Sequence, residues 1–344
     1  MMKAIARHAR HVLAPWSKTA LLRSGAYDLL RRVRPSHHLA ILRYHAICEP
    51  HTCKYADPSI CVSPRAFEEQ LRYLTSRYTV VRLPDAVRAL TQHLRFPENA
   101  VALTFDDGYA DNLEAARLLH RFGVSATFYI TAGCLAEGHP FWPVELRWLL
   151  ARIRDPQLQL STAGHTIRLP CATVTQQSAA VRHLTQVFKA NPISVREELR
   201  QQLRTLSDHL DAPRVMLTWD EVREMHRLGM TIGAHTMTHP NLPSAGPTEA
   251  TNEIVASKQC LDAQVGSPVT MFSYPNGGAE RYYTEELGRV VRDAGFLAAT
   301  TSSNGLVGSE SDLFALARIP ASHDLGQLAY ALDAERFLLG RLSP

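Results

Sequence analysis

Two short clusters in the sequence carry side chains able to do chemistry together. One is Thr104-Phe105-Asp106-Asp107-Gly108-Tyr109; the other is His235-Thr236-Met237-Thr238-His239-Pro240. Adjacent carboxylates are costly to bury, because like charges at close range push one pKa up unless a cation intervenes. Two histidines four positions apart can bring both imidazoles to one metal ion. With one carboxylate they complete the three protein ligands common in hydrolytic zinc sites and leave a position for water. Such an ion polarises a carbonyl and acidifies its water, while a second carboxylate serves as general base. Position 236 is Thr, so this is not the HExxH arrangement, and the base must be Asp106 or Asp107. Taken singly, each cluster has an ordinary explanation: HxxxH as structural histidines, Asp-Asp-Gly as a turn. Zn²⁺ suits two imidazoles and a carboxylate best, and Co²⁺, Ni²⁺ or Fe²⁺ fit the same ligands.

The elements around these clusters place both at strand ends. Apolar runs at 39–47, 78–82, 100–105, 125–130, 230–234, 269–274 and 296–300 read as strands. Helical patterns at 65–76, 84–94, 111–122, 218–228, 247–264 and 282–294 alternate with them. This order predicts βα units around a parallel sheet, either a barrel or an open doubly wound sheet. In both, working groups gather at the C-terminal strand ends, which is where Asp106, Asp107, His235 and His239 fall. The alternation breaks between about 145 and 213, where a hairpin over 157–170 and helices over 174–190 and 194–210 read as an inserted cap. Helix 141–150 leads into it. The expected organisation is a basic helical segment over 1–38 and a barrel domain over 39–344 interrupted by that insert.

The segment Thr104–Tyr109 resembles the first motif of the polysaccharide deacetylase family, also called the NodB-homology or carbohydrate esterase 4 family. His235–His239 resembles its second motif. The resemblance covers roughly 39–135 and 214–320, and it implies a distorted (β/α) barrel that removes acetyl groups from N-acetylated sugars. It implies Asp106 as base, Asp107, His235 and His239 as metal ligands, and the Tyr109 N–H as an oxyanion donor. Phe272-Ser-Tyr-Pro-Asn-Gly277 stands where the third motif belongs, but Ser273 replaces the family's frequent Arg and leaves the orientation of Asp106 without an evident cause. The family's usual acid, a His on a late strand, has no clean copy; His323 is the nearest. Tyr44-His45 matches the early position used by a subset resembling poly-N-acetylglucosamine deacetylases, which makes His45 the expected acid and His323 the alternative. Tyr44, Trp142, Trp219 and Tyr274 are candidates for stacking on a sugar face, with core packing the ordinary explanation of each. Tyr109, Tyr274, Pro275 and Trp142 form the expected substrate-binding set.

Composition narrows the remaining classes. With 45% hydrophobic and 20% charged residues the chain is that of a globular enzyme, and a net charge of +4 gives no case for nucleic acid. Residues 1–34 nevertheless hold eight basic residues against Asp28 alone. With Trp16, Leu29 and Leu30 interleaved, the segment suits either packing on its own domain or peripheral contact with an anionic membrane, and a lipid-linked sugar would match the latter. No secretory signal is evident, and the expected location is cytoplasmic. Cys48, Cys53, Cys61, Cys134, Cys171 and Cys260 contain no CxxC pair, so they are expected to be free thiols rather than a thiolate zinc site, with a disulfide among the first three as the alternative. A deformylase or small-amide hydrolase, and a non-catalytic glycan-binding barrel, are the competing functions.

Overall fold

A computed structural model describes residues 14–135, 140–162, 164–207, 214–277 and 282–335. Its centre is a parallel sheet curled into a distorted (β/α) barrel. The sheet strands are β1 (Ala40–Tyr44), β2 (Thr79–Val80), β3 (Ala100–Phe105), β4 (Thr127–Ile130), β7 (Thr231–Ala234), β8 (Met271–Ser273), β9 (Ala298–Thr300) and β10 (Ile319–Pro320). They run in the order β10-β1-β3-β4-β7-β8-β9, with β2 also paired to β3. The last strand lies beside the first, Leu42 opposite Ile319. Just upstream, Leu316 forms a parallel bridge with Thr300 of β9, so residues 316–320 close the barrel between β9 and β1.

Alternation along the strands divides the core into two layers. Leu42 and Tyr44 of β1, Val101, Leu103 and Phe105 of β3, and Phe128 and Ile130 of β4 join the large outer cluster beneath the helices. Ile41, Ala100, Ala102, Tyr129 and Met271 form the barrel interior. Tyr129 fits there because position 233 is glycine: a Cβ at Gly233 would stand 2.5 Å from its ring.

Helices α3 (Pro64–Arg77), α4 (Leu83–Thr91), α5 (Asn112–Arg121), α9 (Trp219–Arg227), α11 (Pro247–Val265) and α12 (Glu285–Asp293) flank the sheet. Local chemistry sets their starts. Ser63 accepts from the Ala66 N–H with Pro64 in the first turn of α3, and Thr218 with Glu221 forms a capping box on α9. The strands are shorter than expected from the sequence, β8 being 271–273 rather than 269–274, because the apolar run continues past the last sheet pairing.

The inserted region contains α6 (Trp142–Leu150), the antiparallel hairpin of β5 (Gln157–Thr162) and β6 (His165–Pro170), and helices α7 (Val174–Ala190) and α8 (Ile193–Leu206). Their apolar faces share one cluster built on Trp142, Leu146, Leu160, Leu184 and Leu199. The expected end of the second helix at 208–210 lies outside the described residues. Glu145 binds both Arg200 and Arg204 at 2.6 Å, tying α6 to α8.

At the N-terminus, α1 (Pro15–Arg23) and α2 (Ala26–Val33) pack against the closing helix α13 (Leu325–Tyr330) and the turn that follows it. Arg31 is buried there, paired with Asp333 and hydrogen-bonded to Tyr73 and Tyr78. One basic residue of the segment is therefore internal, while Lys3, Arg7 and Arg10 lie outside the described residues. Trp16, Leu29 and Val33 remain exposed. Among the described residues no helix is long and apolar enough to cross a membrane.

Candidate functional site

All barrel strands point the same way, so their C-terminal ends open into one cavity of about 290 Å³. Its wall includes Arg43 of β1 and His45 just after it, Asp106, Asp107 and Tyr109 after β3, and His235 and His239 after β7. Trp142, Pro143, Thr185 and Lys189 of the inserted region complete one side.

Asp107, His235 and His239 are buried with ligand atoms within 4.8 Å of one another. Both imidazole Nε2 atoms face the same carboxylate oxygen, at 3.4 Å from His235 and 3.3 Å from His239. His235 Nδ1 lies 2.7 Å from the Ser273 carbonyl. A carbonyl only accepts, so Nδ1 carries the proton and Nε2 presents its lone pair to the cavity. This donor set fits a divalent ion with an open position. Burial alone would raise the Asp107 pKa, but the two imidazoles facing it, His235 and His239, outweigh burial and hold it well below the usual carboxylate range.

The backbone between the two histidines is held in unusual geometry. Asp107, Thr236 and His239 all have positive φ, at 77°, 66° and 57°, uncommon for residues with a side chain. Glu253 of α11 secures the turn, accepting at 2.8 Å from the Met237 and Thr238 N–H groups and at 2.6 Å from the Thr238 hydroxyl. Arg196 of α8 donates to the Thr238 carbonyl and hydroxyl. Trp142 Nε1–H donates to the His239 carbonyl at 2.9 Å. The insert thus braces the second motif directly.

Asp106 sits opposite, gripped by Arg318. Two guanidinium nitrogens approach its two oxygens at 2.7 Å each. The Arg318 guanidinium also donates to Ser273 Oγ at 3.0 Å and Thr104 Oγ1 at 3.2 Å, and its Nε to the Thr301 carbonyl. Burial raises the Asp106 pKa, and the Arg318 charge more than reverses this, leaving it at about 2. The arginine missing at Ser273 is therefore supplied from the segment that closes the barrel, and the small serine is one of its hydrogen-bond partners.

His45 Nε2 stands 3.8 Å from Asp106 Oδ2. Burial lowers its pKa to about 4, against the pull of Asp107 and Asp106. His323 is exposed, with Nδ1 accepting from the Ser63 N–H at 3.3 Å. It is not among the described residues lining the cavity, so the alternative acid is displaced from the site.

Two expected substrate contacts, Tyr274 and Pro275, are corrected, while Tyr44 and Trp219 take the core positions that are their ordinary explanation. Tyr274 is fully buried, its hydroxyl donating to the Phe314 carbonyl at 3.1 Å and its ring packed on Phe272. Pro275 is buried beside it. Tyr44 is wedged between Phe67 and Phe105 and donates to Gln70 at 2.8 Å. Trp219 packs against the outer core. None of these four lines the cavity among the described residues; the alternation of strand side chains turns Tyr44 and Tyr274 outward under the helices. Tyr109 and Trp142 do line it. The N–H groups flanking Tyr109 are committed, Gly108 to the Asp106 carbonyl and Ala110 to that of Val215.

Sequence reasoning missed Arg318, Glu253 and Arg43. The Nε and Nη1 atoms of Arg43 are buried without a protein partner. Burial and the Arg318 charge depress its pKa to about 10, which leaves it cationic at the cavity wall.

Comparison with known proteins agrees with this architecture. Residues 93–299 match the family described as polysaccharide deacetylase. The chain is 22% identical over 299 residues to the putative polysaccharide deacetylase YxkH of Bacillus subtilis, covering 86% of this chain and 76% of that protein. The Streptococcus pyogenes deacetylase PplD, solved in complex with acetate, superposes with a TM-score of 0.56 at 20% identity, over 90% of this chain and 100% of that one. IcaB from Ammonifex degensii gives 0.55 at 18% identity, over 87% and 98%. At these identities the structural likeness speaks to the fold.

Proposed function

Because the chain belongs to the polysaccharide deacetylase family, we propose that it hydrolyses the N-acetyl group of an amino sugar in a glycan or glycolipid, using a divalent ion, zinc by preference. The observation that carries this reading is a single cavity with two differently tuned carboxylates: Asp107 facing two imidazoles, and Asp106 held apart from them by Arg318. A glycan-binding barrel needs no such division.

Asp107, His235 and His239 would hold the ion, which when bound polarises the acetyl carbonyl and acidifies water. Asp106, kept ionised and aimed by Arg318, takes the proton of the attacking water. The Tyr109 N–H donates to the oxygen that becomes negative as the carbonyl turns tetrahedral. His45 is neutral in the free site, so it must acquire a proton before acting as an acid. The proton collected by Asp106 is the one available to His45 Nε2, 3.8 Å away, for delivery to the leaving amine. Arg43, with two buried unpartnered nitrogens, is the group available to a substrate oxygen.

Acetate release from N-acetylhexosamine substrates, abolished by a chelator and restored by Zn²⁺, tests the reading. Formate release from N-formyl substrates alone would favour the deformylase, and no release of either acid by metal-loaded protein would favour the glycan-binding barrel.

Trp16, Leu29 and Val33, exposed at 76%, 64% and 68% on α1 and α2 beside Arg23 and Arg32, support a second proposal: peripheral membrane contact that would suit a lipid-linked substrate. Co-sedimentation with anionic vesicles, lost on Trp16→Ser with Leu29→Ser, tests it; no co-sedimentation by the full chain would remove it.

A further inference from the structure

Three cysteine sulfurs converge on the loop between β1 and α3, on a flank of the cavity that deacetylation does not use. Cys48, Cys53 and Cys61 place their Sγ atoms within 4.8 Å of one another, and all are free thiols. No CxxC pair marks this meeting in the sequence, because the chain makes it in two turns. The Glu49 carbonyl accepts from the Thr52 and Cys53 N–H groups, returning Cys53 toward Cys48. Asp57 then caps the short helical turn Pro58–Ile60, and Cys61 follows, bridged to Ala46 beside His45. One sulfur is also addressed by the backbone: the Ala56 N–H lies 3.4 Å from Cys53 Sγ. An N–H aimed at sulfur stabilises a thiolate, and such outer hydrogen bonds accompany metal-bound cysteines.

We propose that Cys48, Cys53 and Cys61 form a second metal site, binding one soft divalent ion, zinc above all, through three thiolates. Zn–S bonds of about 2.3 Å put tetrahedral sulfurs about 3.8 Å apart, a spacing this cluster reaches with small movements. Sulfurs this close suit a single ion rather than a cluster in which each cysteine binds a separate iron. Binding releases three protons, one from each thiol, and Cys61 gives up its 3.2 Å contact to the Asp57 carbonyl. Cys48 and Cys53 are half-buried, so the ion has a path in and water completes its fourth position.

The ion would fix one wall of the cavity. The same loop carries Ile60, which lines the cavity, and Tyr55, which donates to Asp111 at 2.6 Å and packs on Tyr109. Arg147 of α6 binds Asp57 at 2.6 Å, linking the loop to the insert. A long loop without strands gains most from such a tie.

The test uses the full chain, purified without reductant, stripped of metal and titrated with Zn²⁺. Alkylation of Cys48, Cys53 and Cys61 should slow at least about tenfold on binding, while Cys260, outside the cluster, keeps its rate and a chelator reverses the effect. This arm needs no variant. With Co²⁺, thiolate-to-cobalt charge-transfer absorption should appear in the parent and in Asp107→Asn, and vanish in Cys48→Ser and Cys53→Ser, each losing one equivalent of ion. Unchanged alkylation on adding Zn²⁺, absorption indifferent to the cysteine substitutions, or a disulfide joining any two of the three in freshly purified protein would each overturn the proposal.

Discussion

Arg318 and Asp106, 212 positions apart, form a two-pronged buried ion pair with both contacts at 2.7 Å. Arg318 is fully buried and Asp106 nearly so, and the guanidinium leaves the carboxylate no rotational freedom. We expect Arg318→Lys, which keeps the charge but not the fork, to lower kcat by roughly 10²-fold with little change in KM, since misplacing a reacting group costs about that much. Arg318→Met should destabilise the protein by about 3–5 kcal/mol, because it strands a buried charge. Steady-state kinetics and denaturant unfolding check the two. A fall confined to KM would mean that Arg318 serves substrate binding instead.

Glu253 would act on a bound ion only through the turn between the two histidines. Its loss frees two N–H groups and the Thr238 hydroxyl. Glu253→Ala is expected to weaken Zn²⁺ binding by about 10- to 100-fold, the usual cost of losing an outer support. Competition with a chromophoric chelator measures it, and unchanged affinity would show that Arg196 and Trp142 suffice.

Tyr274 belongs to the core and not to the substrate site. Tyr274→Phe removes one buried hydrogen bond, to the Phe314 carbonyl. It should cost about 1 kcal/mol of stability and leave KM unchanged. A raised KM at unchanged stability would return Tyr274 to the substrate.

Acid should destabilise the metal-free protein in two stages. His45 falls from 6.5 to about 4 on folding, so the unfolded chain binds its proton first, and this part of the stability, complete above 6.5, is lost as pH falls toward 4. Asp106 falls from 3.8 to about 2, so its contribution, complete above 3.8, is lost between there and 2. Both losses run in the same direction. Chemical denaturation of chelator-treated protein from pH 7 to 3 should show stability falling, with the upper stage removed by His45→Gln. Stability constant between pH 7 and 5 in both proteins would contradict the burial of a neutral His45.

What the sequence revealed follows from which signals are local. Asp106, Asp107, His235 and His239 sit within short motifs directly after strands, and a parallel sheet necessarily brings such ends together. The hairpin at 157–170 announced itself by alternation around Thr162-Ala-Gly-His165. Arg318 did not, since it lies between the Leu316 bridge and the two-residue β10, and only barrel closure carries it to Asp106. Tyr274 was misjudged because proximity in sequence to a motif does not reveal strand parity: it stands two positions before Asn276, which lines the cavity, yet packs on the outer side beneath the helices. The cysteine cluster depends on two irregular turns, for which C-x-x-C spacing is no guide.

The central claim is that Asp106 is the base of a metal-assisted deacetylation. Acetate release from a panel of N-acetylhexosamine substrates, by zinc-loaded parent and zinc-loaded Asp106→Asn, tests it most directly. The account predicts release by the parent, a loss of about 10²–10⁴-fold in the variant, and equal zinc at Asp107, His235 and His239 in both. Equal acetate release from the two proteins, with zinc bound equally, would contradict it.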